Sequence, residues 1–251
     1  MSLSRDLLRF LDPLATARDA GFEPDPWQCA VIESDDPRVL INASRQSGKS
    51  TTVSTLAVNQ ALTDPGLILA TSPSQRQSGE LFRKIVETLR AVKPAPKLEI
   101  QSATTVELSN GARIVSLPGS EATIRCFSAP KLILIDEASR VDDDYYAAVR
   151  PMLAAGGGRL IALSTPWGCR GWFYKAWQSQ DAWRRFRVPA TDCPRITPEF
   201  LAEELAEIGP LRFASEYMCE FVDTAEQFFP TSLIEAALTD EVQPLWPMAA
   251  A

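Results

Sequence analysis

The sequence predicts an α/β fold in which a mostly parallel sheet is flanked by helices. Short aliphatic runs, typical of buried parallel strands, recur at residues 39–42, 67–71, 132–135 and 160–164. Segments with helical spacing of apolar residues separate them, at residues 48–62 and 75–92. Strands that alternate with helices build doubly wound sheets, which bind ligands at the carboxyl ends of their strands. We therefore expect the functional residues at those ends.

Two further segments flank this pattern. Residues 100–117 alternate between apolar and polar side chains and break at Asn110-Gly111, a strong hairpin signal, so we expect a hairpin that decorates the sheet. After Pro189 the pattern becomes helical, at residues 198–208 behind Thr197 as N-cap and at residues 210–217. The sequence thus predicts a core domain over residues 1–190 and a small helical appendage over residues 191–251.

Composition narrows the possible chemistry. The chain has 251 residues, 45% hydrophobic and 23% charged, which is ordinary for a folded protein. It contains no histidine, which excludes Ser-His-Asp catalysis and histidine-ligated zinc. The five cysteines are scattered, which favours a reducing cytoplasm, and no apolar run approaches the length of a membrane span. We expect neither export nor membrane insertion.

Charge is unevenly distributed along the chain. The net charge is −7, which by itself argues against a predominantly basic surface that binds nucleic acid. Between residues 199 and 241, however, eleven acids stand against one base, and residues 1–198 carry a small positive balance. The overall charge therefore does not exclude local contact with a polyanion.

The sharpest motif is a phosphate-binding loop that joins the first predicted strand to the following helix. It runs over residues 43–50 and ends in Gly48-Lys49-Ser50, with Ala43 where the consensus has its first glycine. Backbone N–H groups at a helix start hold phosphates, Lys49 would contact the β and γ phosphates, and Ser50 would bind Mg²⁺. The alternative is a chance Gly-Lys-Ser sequence in a strand-to-helix turn.

Two acids end the third aliphatic strand. Asp136 would hold the Mg²⁺ shell, and Glu137 would polarise the water that attacks the γ-phosphate. A phosphoryl-transferring kinase does not need this second acid, so Glu137 favours hydrolysis. Alone, the pair could equally be a strand that ends in solvated acids.

Two weaker signals accompany these motifs. Ser164-Thr165-Pro166 follows the fourth strand, where hydroxyls can sense a γ-phosphate, although an ordinary turn would look the same. Trp27-Gln28 precedes the loop strand, where a glutamine amide can read adenine, although a surface Trp-Gln pair is equally consistent.

Together these residues resemble the large terminase subunits of tailed bacteriophages, over most of the chain. The resemblance rests on an ordered set of motifs: Trp27-Gln28, the loop from Ser44 to Ser50, Thr71-Ser72-Pro73, Asp136-Glu137-Ala138, and Ser164-Thr165-Pro166 followed by Gly168, Gly171 and Phe173-Tyr174. It implies an additional-strand P-loop ATPase whose C-terminal helices form a small lid and a linker towards a nuclease domain. It also implies a ring, typically a pentamer, that drives double-stranded DNA into the capsid with a portal protein and a small terminase subunit, in the cytoplasm of the infected bacterial host.

The resemblance assigns roles to individual residues. ATP would bind at Trp27, Gln28, Ser44, Arg45, Gln46, Ser47, Gly48, Lys49, Ser50 and Thr51. Mg²⁺ would bind at Ser50 and Asp136. Glu137 and Arg45 would act in hydrolysis. The coupling motif would consist of Ser164, Thr165 and Pro166. Arg125, in an expected loop at residues 121–126, resembles the trans-acting arginine of some terminases, and Arg140, directly after the acids, is a second candidate. Either could instead be a solvated surface arginine.

Two basic patches are candidates for DNA contact. Arg76, Arg83 and Arg90 repeat every seven residues, hence on nearly one helix face. Glu80 and Glu87, however, lie four residues after Arg76 and Arg83, which favours a ladder of ion pairs at i,i+4. The segment 183–187 mixes bases with aromatic residues, yet alternation in a strand would bury the aromatic side chains. Neither patch decides the matter.

The sequence therefore predicts Mg²⁺-dependent ATP hydrolysis that powers viral DNA packaging, without DNA cleavage by this chain. Asp223 and Glu226 lie in a stretch that resembles the family's link towards its nuclease. The alternatives are a helicase-like translocase fragment, which the Trp-Gln and Thr-Ser-Pro elements also fit, and a P-loop scaffold that binds nucleotide without turnover.

Overall fold

A computed structural model describes residues 3–222 together with residues 233, 236 and 237. The strands are β1 (Arg38–Ala43), β2 (Leu67–Ser72), β3 (Leu98–Gln101), β4 (Thr105–Leu108), β5 (Arg113–Pro118), β6 (Leu132–Asp136), β7 (Arg159–Ser164) and β8 (Arg184–Val188). The α-helices are α1 (Leu3–Leu11), α2 (Leu14–Asp19), α3 (Pro26–Glu33), α4 (Lys49–Thr63), α5 (Gln75–Ala91), α6 (Glu121–Ile124), α7 (Asp143–Gly156), α8 (Gly171–Gln178), α9 (Pro198–Ile208) and α10 (Pro210–Glu216). Short 3₁₀ helices span Ala138–Arg140 and Ala190–Asp192.

The eight strands of the described residues form one sheet in the order β3-β4-β5-β2-β6-β7-β1-β8. From β5 to β8 every neighbouring pair is parallel, whereas β4 pairs antiparallel with both of its neighbours, β3 and β5, and so runs opposite to the other strands. Strand β7 lies between β1, which enters the phosphate-binding loop, and β6, which ends in Asp136. This inserted strand is the arrangement of an additional-strand P-loop fold, and the predicted fold class is confirmed.

The predicted hairpin is present, with a wider role than expected. Asn110 and Gly111 form its turn, and Gly111 has a φ of 90°, a backbone conformation that favours glycine. Strand β5, however, pairs in parallel with β2 along its whole length. The segment is therefore an integral part of the sheet, because β5 adopts the direction of the core strands and the hairpin extends their edge.

Alternating strand residues separate two cores, one on each face of the sheet. On one face, Val39 and Ile41 pack with side chains of α4 and α5. On the other face, Leu40 packs with side chains of α7 and α8. Because both faces are covered, the central strands are apolar throughout, which is why the sequence signal was a continuous run.

Helices α9 and α10 lie where the sequence predicted helices after Pro189. Helix α9 begins as predicted, since Thr197 Oγ1 accepts a hydrogen bond from Phe200 N at 3.3 Å. Helix α10 packs against α9 and also contacts the phosphate-binding loop, where Arg45 N donates to Glu216 O at 3.0 Å. The predicted boundary at residue 190 falls in the loop between β8 and α9. The remainder of the predicted appendage lies outside the described residues.

None of the described helices is both long and apolar enough to cross a membrane.

Candidate functional site

The phosphate-binding loop runs from Ser44 to Gly48, between the end of β1 and the start of α4. Gly48 has a φ of 92°, a conformation that favours glycine, and a Cβ there would lie 2.9 Å from Gln28 Nε2 and displace that amide. Gln46 also adopts a left-handed conformation. Ser47 Oγ donates to Ser44 O at 2.8 Å and braces the loop from inside. The loop therefore presents backbone N–H groups at the start of a long helix, as phosphate binding requires.

Asp136 and Glu137 lie at the carboxyl end of β6, on the same edge of the sheet as the loop. Asp136 Oδ1 accepts a hydrogen bond from Glu137 N at 2.9 Å, which orients this carboxylate. Burial and then the neighbouring charge of Glu137 raise the pKa of Asp136 to about 6. A nearby cation would stabilise the charged form of this carboxylate.

Glu137 lies between two cations. Its φ of 51° is left-handed and breaks the strand direction, so the chain turns directly into the 3₁₀ helix Ala138–Arg140. Glu137 Oε1 lies 3.7 Å from Lys49 Nζ, and Oε2 lies 3.7 Å from Arg140 Nε. The carboxylate is thus held next to the lysine that would contact the nucleotide phosphates.

Ser139 joins the acids to the predicted coupling motif. Its hydroxyl donates to Thr165 O at 2.8 Å and accepts from Ser164 Oγ at 2.6 Å. Ser139 N also donates to Ser164 Oγ, at 3.3 Å. Pro166 O accepts from Ser215 Oγ of α10 at 3.1 Å. Sequence reasoning missed Ser139, because a serine two residues after the acids has no distinctive spacing.

These elements line an open cavity of about 480 Å³. The residues that line it are Arg45, Gln46, Lys49, Gln77, Glu137, Arg140 and Thr165. Of these, Gln77 and Arg140 had no predicted role in the nucleotide site of their own chain. The predicted loop, catalytic acid and coupling motif therefore meet at one place. Gln77 enters because α5 begins directly after β2 at the same edge of the sheet.

Comparison with known proteins agrees with this geometry. The family model described as "Terminase large subunit, T4likevirus-type, N-terminal" matches residues 40–236.

The chain belongs to this terminase family.

A curated relative, the terminase large subunit of Thermus virus P23-45, is 26% identical over 249 residues, covering 83% of this chain and 51% of the relative. The chain therefore spans about half the length of the curated relatives it matches. Among solved structures, the large terminase ATPase domain of Thermus phage P74-26 superposes with a TM-score of 0.73 at 22% identity, covering 82% of this chain and 97% of that chain. The large terminase of the thermophilic bacteriophage D6E, in complex with ADP, gives 0.66 at 9% identity, covering 79% and 54%. These likenesses show the terminase ATPase fold.

Arg45, within the terminase phosphate-binding loop, is tied to the helical appendage. Its Nε donates to Glu216 Oε2 at 2.5 Å. Burial lowers the pKa of Arg45, but the hydrogen bond and charge of Glu216 outweigh it and the pKa is raised. Arg45 lines the cavity while more than half of its side chain is exposed, so the loop and α10 share one charged contact.

The two arginines proposed to act in trans differ in position. Arg125 follows α6 directly, so the expected loop at residues 121–126 is wrong in that a helical turn occupies it. Its side chain is exposed and pairs with Glu121. Arg140 is held within its own chain, beside Glu137 and over the ring of Trp167. Arg140 therefore contacts the candidate catalytic acid of its own chain.

Gln28 has a structural role that sequence reasoning did not foresee. The side chain is buried, so the alternative of a surface Trp-Gln pair is wrong. Its Oε1 accepts from Asp25 N at 2.7 Å, and its Nε2 donates to Thr52 Oγ1 at 3.0 Å. Gln28 thereby caps α3 and fastens it to α4. Trp27 is partly buried against the core below α4, and recognition of adenine by either residue stays a prediction.

The two basic patches that were candidates for DNA contact lie on α5 and around β8. On α5, Arg83 pairs with Glu80 at 2.7 Å, three residues before it, so the ladder predicted at i,i+4 is wrong in register. Arg90 donates to Gln101 Oε1 at 3.0 Å. Around β8, Trp183 is buried and Phe186 packs against the core, as the alternation predicted.

Proposed function

We propose that this chain hydrolyses MgATP and that hydrolysis powers the movement of viral double-stranded DNA into a capsid. The observation that carries the proposal is the cavity at the carboxyl edge of the sheet, where Lys49, Glu137 and Thr165 come from three separate motifs. Membership of the terminase family supports the packaging role.

Each residue has a defined task in this proposal. The N–H groups of the loop and Lys49 bind the nucleotide phosphates, and Arg45 adds positive charge beside them. Glu137 accepts a hydrogen bond from the attacking water and polarises it towards the γ-phosphate. Ser164, Thr165 and Pro166 transmit the state of the cavity to α10, through Ser139 on one side and Ser215 on the other.

The residues present fit a magnesium ion. Asp136 supplies a carboxylate that its surroundings leave in need of positive charge, and Ser50 supplies a hydroxyl in the first turn of α4. Oxygen ligands of this kind, few in number and completed by phosphates and water, are what Mg²⁺ prefers. When bound, the ion would neutralise charge on the phosphate oxygens.

The proposal includes the assembly of several copies of the chain with DNA and two other proteins. We infer a homo-oligomeric ring, a pentamer by family resemblance, that meets DNA, a portal protein and a small terminase subunit in the cytoplasm of the infected bacterial host. The exposed Arg125 would complete the site of a neighbouring subunit. Trp27, Gln28, Ser44, Gln46, Ser47, Gly48 and Thr51 complete the proposed nucleotide site.

Phosphate release from ATP tests the proposal. Wild-type protein with Mg²⁺ is expected to turn over, Lys49→Ala to bind ATP weakly, and Glu137→Ala to bind ATP but release phosphate at least about 100-fold more slowly. Binding is measured with a fluorescent ATP analogue. Nucleotide binding by wild type without phosphate release would contradict the proposal and favour a non-catalytic scaffold.

A further inference from the structure

The side chain of Arg140 is held from two sides within one chain. It ends the 3₁₀ helix Ala138–Arg140, in which residues three apart lie nearly above one another, so its side chain turns back towards Glu137. The distance from Arg140 Nε to Glu137 Oε2 is 3.7 Å. This is ion-pair range and longer than a hydrogen bond, so a small movement would tighten or release the contact.

The second side is an aromatic ring. The guanidinium carbon of Arg140 lies 3.7 Å from the ring centroid of Trp167, which directly follows Ser164-Thr165-Pro166. Guanidinium groups stack flat on aromatic faces and keep their N–H edge free for a carboxylate. The ring therefore restricts where the Arg140 charge can lie, and the free edge meets Glu137.

We propose that Arg140 is a positioning residue of its own chain's site, which sets the orientation of the Glu137 carboxylate, and that Trp167 controls where Arg140 lies. This inference rests on the proposed ATPase function. Lys49 also lies 3.7 Å from Glu137, but Lys49 is the residue that nucleotide phosphates engage. Arg140 is then the cation that stays with Glu137 during hydrolysis.

The arrangement gives the coupling motif a second connection to the acid. Ser139 links the 3₁₀ helix Ala138–Arg140 to residues 164–167 by hydrogen bonds with Thr165 O and Ser164 Oγ. The contact between Arg140 and the ring of Trp167 links the same two segments through charge. A displacement of residues 164–167 would therefore move the cation beside Glu137 as well as the backbone behind it.

Kinetics of four variants test the proposal. Arg140→Ala is expected to lower kcat by about tenfold or more with little change in KM, because Glu137 loses its orientation while the phosphate contacts stay. Arg140→Lys should not restore kcat, since an ammonium lacks the flat face of a guanidinium. Trp167→Ala should lower kcat, and Trp167→Phe should restore most of it.

Two control measurements accompany these variants. Arg113→Ala removes an exposed arginine that also pairs with a carboxylate, Glu107, on the hairpin, and it is expected to leave kcat unchanged. Circular dichroism and the urea midpoint confirm folding, and Arg140→Gln, which keeps a polar side chain without charge, replaces Arg140→Ala if that variant does not fold. An Arg140 variant that is folded and keeps kcat within about twofold of wild type would overturn the proposal.

A double-mutant cycle tests whether Trp167 acts through Arg140. If it does, the double variant Arg140→Ala, Trp167→Ala should have nearly the same kcat as Arg140→Ala alone. Losses that multiply would show that the two residues act separately and would contradict the proposed route.

A measurement without turnover separates this inference from the ATPase proposal. The chain contains six tryptophans, and after incorporation of 5-fluorotryptophan the ¹⁹F resonance of Trp167 is assigned by its loss in Trp167→Phe. Glu137→Gln is expected to shift this resonance when Arg140 is present and not when it is alanine. No shift in either background would overturn the inference, whether or not the protein hydrolyses ATP. A shift in a protein that releases no phosphate would place the failure in the proposed function alone.

Discussion

Ser139 shows how a residue without a recognisable motif can connect two that have one. Its hydroxyl and its N–H together make three contacts to Ser164 and Thr165. Ser139 and its two partners lie at the carboxyl edge of neighbouring parallel strands, β6 and β7. The strand ends fix this proximity, so only the three-dimensional sheet order could identify the contact.

We predict that Ser139→Ala lowers kcat several-fold while ATP affinity changes little, because the variant loosens the loop behind Glu137 without touching the phosphate contacts. The free energy of unfolding should fall by about 1 kcal/mol, as for a lost partly buried hydrogen bond. Phosphate release and urea unfolding measure the two effects. Ser179→Ala is the control, because Ser179 donates a similar hydrogen bond to Ala176 O away from the cavity. Equal kcat values for both variants would contradict the prediction.

The sequence alone identified candidate residues that belong to motifs of fixed spacing. Lys49, Glu137 and Thr165 were named as candidates and do line one cavity. Trp167, Ser139 and Gln77 were missed because each depends on which strands are neighbours. Arg140 was named for a role in a neighbouring subunit, whereas the structure places it beside Glu137 of its own chain.

Among the elements, the hairpin and helix α5 allow one substitution to be tested in two backbone conformations. Gly111 lies in the hairpin turn with a φ of 90°, and a Cβ there would meet nothing within 4 Å. Gly79 lies within α5, and a Cβ there would also meet nothing. The two glycines therefore differ in conformation and not in available space.

We predict opposite effects of alanine at these two positions. Gly111→Ala should lower the free energy of unfolding by about 1 kcal/mol, because alanine disfavours a positive φ. Gly79→Ala should raise it by about 0.5–1 kcal/mol, because alanine favours the helix and restricts the unfolded chain. Urea unfolding of the two variants measures both values. A gain in stability for Gly111→Ala would contradict the backbone argument.

The sequence predicted the type of the core elements well because both faces of the sheet are covered and the strands are apolar runs. It did not predict that β5 pairs with β2, since alternation in a hairpin strand gives no information on which core strand it joins. The helical start at Thr197 was predictable, because an N-cap is a local hydrogen bond. Contacts from α10 to the phosphate-binding loop are distant in sequence and were not predictable.

For the whole molecule, we predict ATP hydrolysis without DNA cleavage. The acids after the coupling motif that the structure describes include Glu203 and Glu207, which are exposed on α9, and Glu204, which accepts from Tyr217 at 2.8 Å. Within the described part of the chain these acids lie on a helix that packs against α10, whereas a two-metal site needs carboxylates that converge on two ions. Asp223 and Glu226 lie outside the described residues. Plasmid incubated with Mg²⁺ or Mn²⁺ should stay supercoiled, and nicking that disappears in Asp223→Ala or Glu226→Ala would contradict the prediction.

Assembly would bring Arg125 to the site of a neighbouring subunit. Arg125 is exposed, beyond its pairing with Glu121, and is not among the residues that line the cavity of its own chain. If it completes the site of a neighbouring subunit, ATP turnover per subunit should rise with protein concentration. Arg125→Ala and Glu137→Ala should each be inactive alone, and mixing them should restore part of the activity, because some interfaces then join an intact arginine to an intact glutamate. Mixing Arg140→Ala with Glu137→Ala is the matched control and should restore none, since Arg140 and Glu137 must belong to the same chain. Rescue in the control and not with Arg125 would reverse the two assignments, and turnover per subunit that stays constant down to nanomolar protein would exclude a shared site.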